Sequence, residues 1–204
     1  MGLPYELKML PFPPRVLAKE YLAINPLGTI PFMVDGETKM TESSGICYYL
    51  GTKYGPTPLV VGLDDPAYGA FLNWMFFSDA TLTFPQTLVL RYSQLEPEER
   101  RNPQVAGDYA KWFLGRLRAV EAATANGQNL CAGRFTAADI VNGYALRLAG
   151  NIGLAKDFGP NVAAYWARLQ EREGYQRAVA AERKAGVEQV RNGKPELDAQ
   201  LVGE

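Results

Sequence analysis

The sequence predicts a small α/β unit of order βαββα followed by an all-helical unit, and three observations carry that expectation. Up to Gly55 the apolar residues fall in short runs that alternate in strand fashion or step at helical spacing, each closed by Pro, Gly or Asn. Residues 56–64, with two prolines and Gly62, interrupt the chain. From Asp65 onward the apolar positions recur only at helical spacing. The expected organisation is therefore an α/β domain over 1–55, a linker over 56–64 and a helical domain over 65–204.

Taken in order, residues 5–10 alternate like a short strand, and Pro11, Pro13 and Pro14 end it and prepare a helix over 15–24. Asn25-Pro26-Leu27-Gly28 places Asn first, Pro second and Gly fourth, the preferred positions of a type I turn. Residues 30–34 form an apolar run, Asp35-Gly36 signals a hairpin, and 38–41 supply the partner strand. Glu42-Ser43-Ser44 opens a helix carrying Ile46, Tyr49 and Leu50, which Gly55-Pro56 stops. Helices are expected near 66–94, 104–126, 137–153 and 161–181, with Pro85 kinking or dividing the first. Beyond Gly186 the chain turns polar and is expected to run over the surface.

Composition narrows the function. The 21 Lys+Arg against 22 Asp+Glu leave a net charge of −1 with no block of either sign, which argues against nucleic-acid or membrane-surface partners and for a small neutral or zwitterionic ligand. No apolar stretch approaches the roughly 20 residues of a spanning helix, and no secretory pattern opens the chain, so a cytoplasmic location is expected. The chain has no histidine, which removes Ser-His-Asp and Cys-His nucleophilic systems, His-ligated zinc and His general bases together. Cys47 and Cys131 form neither a C-x-x-C pair nor a metal spacing; both read as buried, inert thiols, and no metal is expected.

Two features point to a ligand. Pro31 sits in a run that otherwise reads as a strand, although proline cannot donate to a sheet ladder; a bend there leaves the Ile30 backbone open to an extended peptide, though on these two residues alone an ordinary edge strand is the plainer alternative. Glu42-Ser43 stands at a helix mouth, where unpaired N–H groups favour a carboxylate and the Glu side chain an ammonium; Thr41, Ser43 or Ser44 acting simply as a cap is the plainer alternative. Together they describe a site for a short peptide with a free α-amino-acid end.

The run Asn25-Pro26-Leu27-Gly28-Thr29-Ile30-Pro31-Phe32-Met33-Val34-Asp35-Gly36, then Thr41-Glu42-Ser43, resembles the thioredoxin-like N-terminal domain of glutathione transferases. The resemblance implies that the residue before a cis-proline, Ile30, pairs its backbone with the cysteinyl unit of glutathione beside Pro31. It further implies that Glu42 and Ser43 hold the γ-glutamyl head, with Arg15 or Lys19 near the glycyl carboxylate. It implies a cytoplasmic homodimer that conjugates glutathione to a hydrophobic electrophile, a detoxifying activity. Non-catalytic binding or scaffolding, a glutathione-dependent lyase or isomerase, and a glutaredoxin-like reductase are the alternatives; the missing C-x-x-C weighs against the last. Family members carry the Ser, Tyr or Cys beside the glutathione sulfur in a loop that precedes a segment like Gly2-Leu3-Pro4-Tyr5, where this chain begins. No position here is therefore expected to hold the thiol-activating group, and the family's first strand, which lies between those at 5–10 and 30–34, has no counterpart.

In the helical half, Phe135-Thr136-Ala137-Ala138-Asp139-Ile140 reads as an acidic capping box, with Phe135 against Ile140 as a staple. The resemblance places a closely similar box in the family's helical domain, where it serves folding. Trp74, Phe77, Phe84, Arg91 and Tyr92 lie on the helix that in the family borders the electrophile pocket, with core or subunit contact an equal alternative for each. Trp112, Tyr144 and Trp166 read as core.

Overall fold

The computed structural model describes residues 1–191. These divide into two compact units, Met1–Ile46 with the chain from Glu171 onward, and Cys47–Gln170, so the division falls inside one helix.

In the first unit, helix α1 (Pro14–Leu17) gives way to a 3-10 turn over Lys19–Ala23. The single helix expected over 15–24 is thus broken at Ala18, which is buried and leaves the helical region at φ −139°, ψ 67°. The strand expected over 5–10 does not form: the sheet among the described residues has two strands, β1 (Met33–Asp35) and β2 (Thr38–Met40). A strand exists only through a hydrogen-bonded neighbour, and alternation alone does not supply one. Strand β1 begins three residues later than expected because Pro31 has no N–H to give a ladder. It pairs antiparallel with β2, Met33 opposite Met40 and Asp35 opposite Thr38. Gly36 and Glu37 are therefore the central turn residues, and Gly36 supplies the positive φ of 60° that such tight hairpins need. Helix α2 (Ser43–Lys53) follows.

In the second unit the 56–64 segment is docked. The Ala137 N–H donates to the Leu59 carbonyl at 2.7 Å, Arg134 donates to the Pro58 carbonyl at 3.2 Å and meets Asp65 at 3.5 Å, and Val61 is buried. The long helix expected over 66–94 is a run of four pieces: α3 (Tyr68–Phe77), a π-helical stretch Ser78–Thr83, α4 (Phe84–Leu90) and a second π stretch Arg91–Leu95. Pro85 cannot donate to the preceding turn, and the helix divides there as expected, through the π-helical stretch that ends at Thr83. Helix α5 (Pro103–Ala123) begins with Asn102 Oδ1 accepting the Val105 N–H at 3.1 Å and with Pro103 at its first position.

Helix α6 (Ala137–Asn151) runs through the centre of the second unit, and three polar contacts tie it to the segmented helix. Ser78 donates to the Val141 carbonyl at 2.7 Å, Gln86 to the Ala145 carbonyl at 3.0 Å, and Asn142 to the Trp74 carbonyl at 2.8 Å. The expected capping box is present, with Asp139 Oδ2 accepting the Thr136 N–H at 2.8 Å. The staple differs: Phe135 packs on the inner cluster of Leu82, Phe113, Leu146 and Tyr165, while Ile140 stays 41% exposed. Trp166 packs on that cluster as expected, but Trp112 and Tyr144 are 45% and 55% exposed. Helical spacing marks a stripe without fixing its width, and both aromatics fall outside the buried arc.

The helix expected over 161–181 is two, α7 (Pro160–Gln170) and α8 (Glu173–Arg191), the latter belonging to the first unit. Glu173 in the first turn and Gly174 after it favour a fresh start over continuation. Helix α8 carries on past Gly186 to Arg191 as regular helix, with Val187 and Glu188 exposed; the remainder of the surface run expected there lies outside the described residues.

Candidate functional site

Ile30 is held from both sides. Before it, the Asn25–Gly28 turn closes with the Gly28 N–H on the Asn25 carbonyl at 2.9 Å, and the Leu27 N–H meets Asn25 Oδ1 at 3.2 Å. Gly28 sits at φ 59°, and a Cβ there would lie 2.7 Å from the Arg15 Cβ. The Thr29 carbonyl then accepts two buried donors, the Tyr21 hydroxyl at 2.8 Å and Asn25 Nδ2 at 2.9 Å. After it, the Ile30–Pro31 bond is cis and Phe32 meets the Tyr21 ring edge-on, centroids 6.2 Å apart. Ile30 itself is 44% exposed, and its backbone N–H and C=O make no hydrogen bond to other described residues.

The start of α2 is the second part. The Glu42 carbonyl accepts the Ile46 N–H at 2.8 Å, so Glu42 is the cap residue, and the amides of Ser43, Ser44 and Gly45 have no carbonyl within the helix to meet. The Glu42 carboxylate is exposed and takes the Thr41 hydroxyl at 3.1 Å. The Ser44 hydroxyl is buried and without a partner among the described residues. Free amides at a helix mouth attract a carboxylate and the adjacent Glu42 an ammonium, which is the charge pattern of an α-amino-acid head. Arg15 and Lys19 are exposed in the same unit.

Ile30, Pro31, Glu42 and Ser43 all belong to the first unit, and Trp74, Phe77, Arg91 and Tyr92 to the second. There Trp74 packs against the core and meets the Phe77 ring at 5.0 Å. Phe77 also lines an open apolar cavity of about 480 Å³ between the first π stretch, α4 and α5, together with Thr81, Phe84, Trp112 and Arg116. Arg91 is on the second π stretch, outside that lining, donating to Glu96 at 2.7 Å and standing over the Tyr92 ring at 5.5 Å. The arginine's hydrogen bond holds the Glu96 carboxyl below its ordinary range. Cys47 is half-buried and Cys131 buried, and burial raises both thiols above their ordinary value, the opposite of what a nucleophile needs. Tyr21 escaped the sequence reading because its hydroxyl acts eight residues away; an unbroken-looking helix ahead of the turn gave no sign of it.

Residues 1–58 match the family model "Glutathione S-transferase, N-terminal domain". The chain is 32% identical over 177 residues to glutathione S-transferase hmp2 of Hypomyces subiculosus, covering 81% of each. It belongs to the glutathione S-transferase superfamily. This transferase-family chain is also 28% identical over 164 residues to glutathione S-transferase GstA of Escherichia coli O157:H7, covering 80% of this chain and 78% of that one. Its fold is that of Ure2p5 from Phanerochaete chrysosporium, cocrystallised with 1-(S-glutathionyl)-2,4-dinitrobenzene, at a TM-score of 0.72 and 24% identity over 82% of this chain and 81% of that one. A glutathione S-transferase of this fold has a thioredoxin-like N-terminal domain and a helical C-terminal domain, and in the present chain Met33–Met40 is the sheet of the former. Among the described residues, no helix is long and apolar enough to cross a membrane.

Proposed function

We propose that this chain is a glutathione transferase that joins the glutathione thiolate to a hydrophobic electrophile. The N-terminal domain, residues 1–55, binds glutathione, and the helical domain, residues 65–204, takes the electrophile at the Trp74 and Phe77 end of its first helix. The observation that carries the reading is the doubly anchored Thr29 carbonyl followed by the open Ile30 backbone. An extended peptide pairs with such a backbone by strand addition. The γ-glutamyl carboxylate goes to the Ser43 and Ser44 amides and its ammonium to Glu42.

In the reaction, the glutathione S–H proton leaves to solvent, the thiolate attacks the electrophilic carbon, a C–S bond forms and the leaving group departs with its electron pair. A thiol of pKa about 8.5 is only a few per cent thiolate at neutral pH. Lowering that value by about two units takes roughly 2.7 kcal/mol of thiolate stabilisation. Thr29 Oγ1 accepts from Asn25 Nδ2 at 3.2 Å and keeps its own O–H proton, but no contact of Thr29 or of Tyr92 assigns either as the stabilising group. Retention of glutathione binding without turnover is the second reading, since no side chain among the described residues is assigned to stabilise the thiolate.

Calorimetric titration with reduced glutathione tests the site, and turnover of glutathione with 1-chloro-2,4-dinitrobenzene tests the chemistry. Saturable binding that weakens about tenfold in Glu42→Ala supports the site, since an exposed carboxylate contributes about 1–1.5 kcal/mol through a charged hydrogen bond. Equal affinity in that variant refutes it, and binding without product formation selects the non-catalytic reading. A homodimer in the cytoplasm belongs to the same proposal; light scattering at twice 22.5 kDa checks the dimer.

A further inference from the structure

The peptide unit joining Thr29 to Ile30 is a single rigid plane, with its carbonyl and its N–H pointing in opposite directions when trans. It is trans, since the cis bonds of the described chain are at Pro13, Pro31 and Pro56. Whatever fixes the Thr29 carbonyl therefore fixes the direction of the Ile30 N–H. Two side chains from the preceding 3-10 turn and its exit do this, the Tyr21 hydroxyl at 2.8 Å and Asn25 Nδ2 at 2.9 Å. Both donor residues are almost closed to solvent, 6% and 2% exposed, so packing fixes the donors even though Thr29 itself is exposed. Loop closure alone does not require this arrangement: the turn is already closed by Gly28 on the Asn25 carbonyl and Leu27 on Asn25 Oδ1. The Tyr21 ring also meets Phe32 edge-on, so one tyrosine grips the chain on both sides of Ile30-Pro31.

We propose that Tyr21 and Asn25 are positioning residues for glutathione, turning the Thr29 carbonyl inward so that the Ile30 N–H faces out toward the peptide. The inference rests on the reading of Ile30 as the cysteinyl clamp. A preset clamp spares the ligand the cost of ordering it, and loosening it lowers affinity without changing the reacting groups.

The test is reduced glutathione titrated calorimetrically into the wild type, Tyr21→Phe and Asn25→Asp, with steady-state kinetics on 1-chloro-2,4-dinitrobenzene and a thermal unfolding midpoint for each. Tyr21→Phe keeps the ring on Phe32 and removes only the hydroxyl; Asn25→Asp keeps the acceptor for Leu27 and removes the Nδ2 donor. Kd and KM for glutathione are expected to rise about tenfold in each, the equivalent of one hydrogen bond. At saturating glutathione, kcat and the electrophile's KM are expected to stay within about twofold. Wild-type affinity in folded Tyr21→Phe and Asn25→Asp overturns the inference. So does a fall in kcat with glutathione KM unchanged, because lost folded protein lowers kcat alone. If the wild type itself binds no glutathione, the clamp reading at Ile30 has failed, an outcome distinct from a wild type that binds and variants that match it. Where glutathione binds without turnover, Kd decides.

Discussion

The Tyr165 phenol donates to Asp139 Oδ1 at 2.8 Å across 26 residues, and neither side chain is open to solvent. The same carboxylate accepts the Leu130 N–H at 3.1 Å and the Thr136 N–H at 2.8 Å, so one buried charge joins three segments of the second unit. Tyr165→Phe removes one hydrogen bond to that charge and is expected to cost about 1.5–3 kcal/mol. Asp139→Ala strands several buried donors together and is expected to cost roughly 3–5 kcal/mol. Urea unfolding of both variants measures the difference, and equal stability of Tyr165→Phe and wild type contradicts it.

Alkaline pH should weaken the fold. Burial, then the Asp79 charge, raises the Cys47 thiol; burial raises Cys131; burial, then the Asp139 charge, raises the Tyr165 phenol. The unfolded chain sheds these protons first, the thiols from about pH 8.5 and the phenol from about pH 10. There the unfolded state binds fewer protons than the native state, so the contribution is complete below about pH 8 and is lost as pH rises. Denaturant midpoints followed from pH 7 to 11 should fall, with Cys47→Ala combined with Cys131→Ala flattening the earlier part. A level profile would mean that the thiols ionise as readily folded as unfolded.

Gly28→Ala places a methyl 2.7 Å from the Arg15 Cβ and 2.9 Å from Leu22 Cδ2, at a backbone φ of 59°. The left-handed conformation alone costs about 1–2 kcal/mol for a non-glycine residue, and the collision adds to it. Since the Asn25–Gly28 turn carries Thr29, the variant is expected both to lower the unfolding midpoint and to lose glutathione affinity. Calorimetry on the folded variant at low temperature separates the two effects.

Helix α7 is capped from a distance. Glu121 Oε1 accepts the Asn161 N–H at 3.0 Å and Oε2 the Val162 N–H at 2.9 Å, so a carboxylate on α5 satisfies the first amides of α7. Glu121→Ala is expected to cost about 1–2 kcal/mol, as the loss of an N-cap does. Amide exchange read at Asn161 and Val162 should accelerate more than exchange at Phe113 in the core.

Local devices were legible in the sequence and distant ones were not. The Asn25–Gly28 turn, the hairpin glycine, the opening of α2 after Glu42 and the Thr136–Asp139 box each depend on bonds spanning four residues or fewer, and side-chain chemistry announces them. The strand expected over 5–10 depends on a neighbour, which alternation cannot specify. Tyr21 gave no local sign because its partner lies eight residues on, and Trp112 and Tyr144 were misplaced because the arc a helix buries is set by what lies against it. Glu121 serves a helix 40 residues away, a relation no spacing rule contains.

The contacts of Ser78, Gln86 and Asn142 with carbonyls across the α6 boundary act like teeth on a gear. Apolar side chains tolerate sliding, since a leucine facing a valine is nearly as content one turn along. Moving α6 by one turn, about 5.4 Å, would instead unseat three donors at once in a medium that offers no replacement. Alignment is thereby separated from volume: the greasy neighbours can be resized while the polar teeth keep the two helices in step.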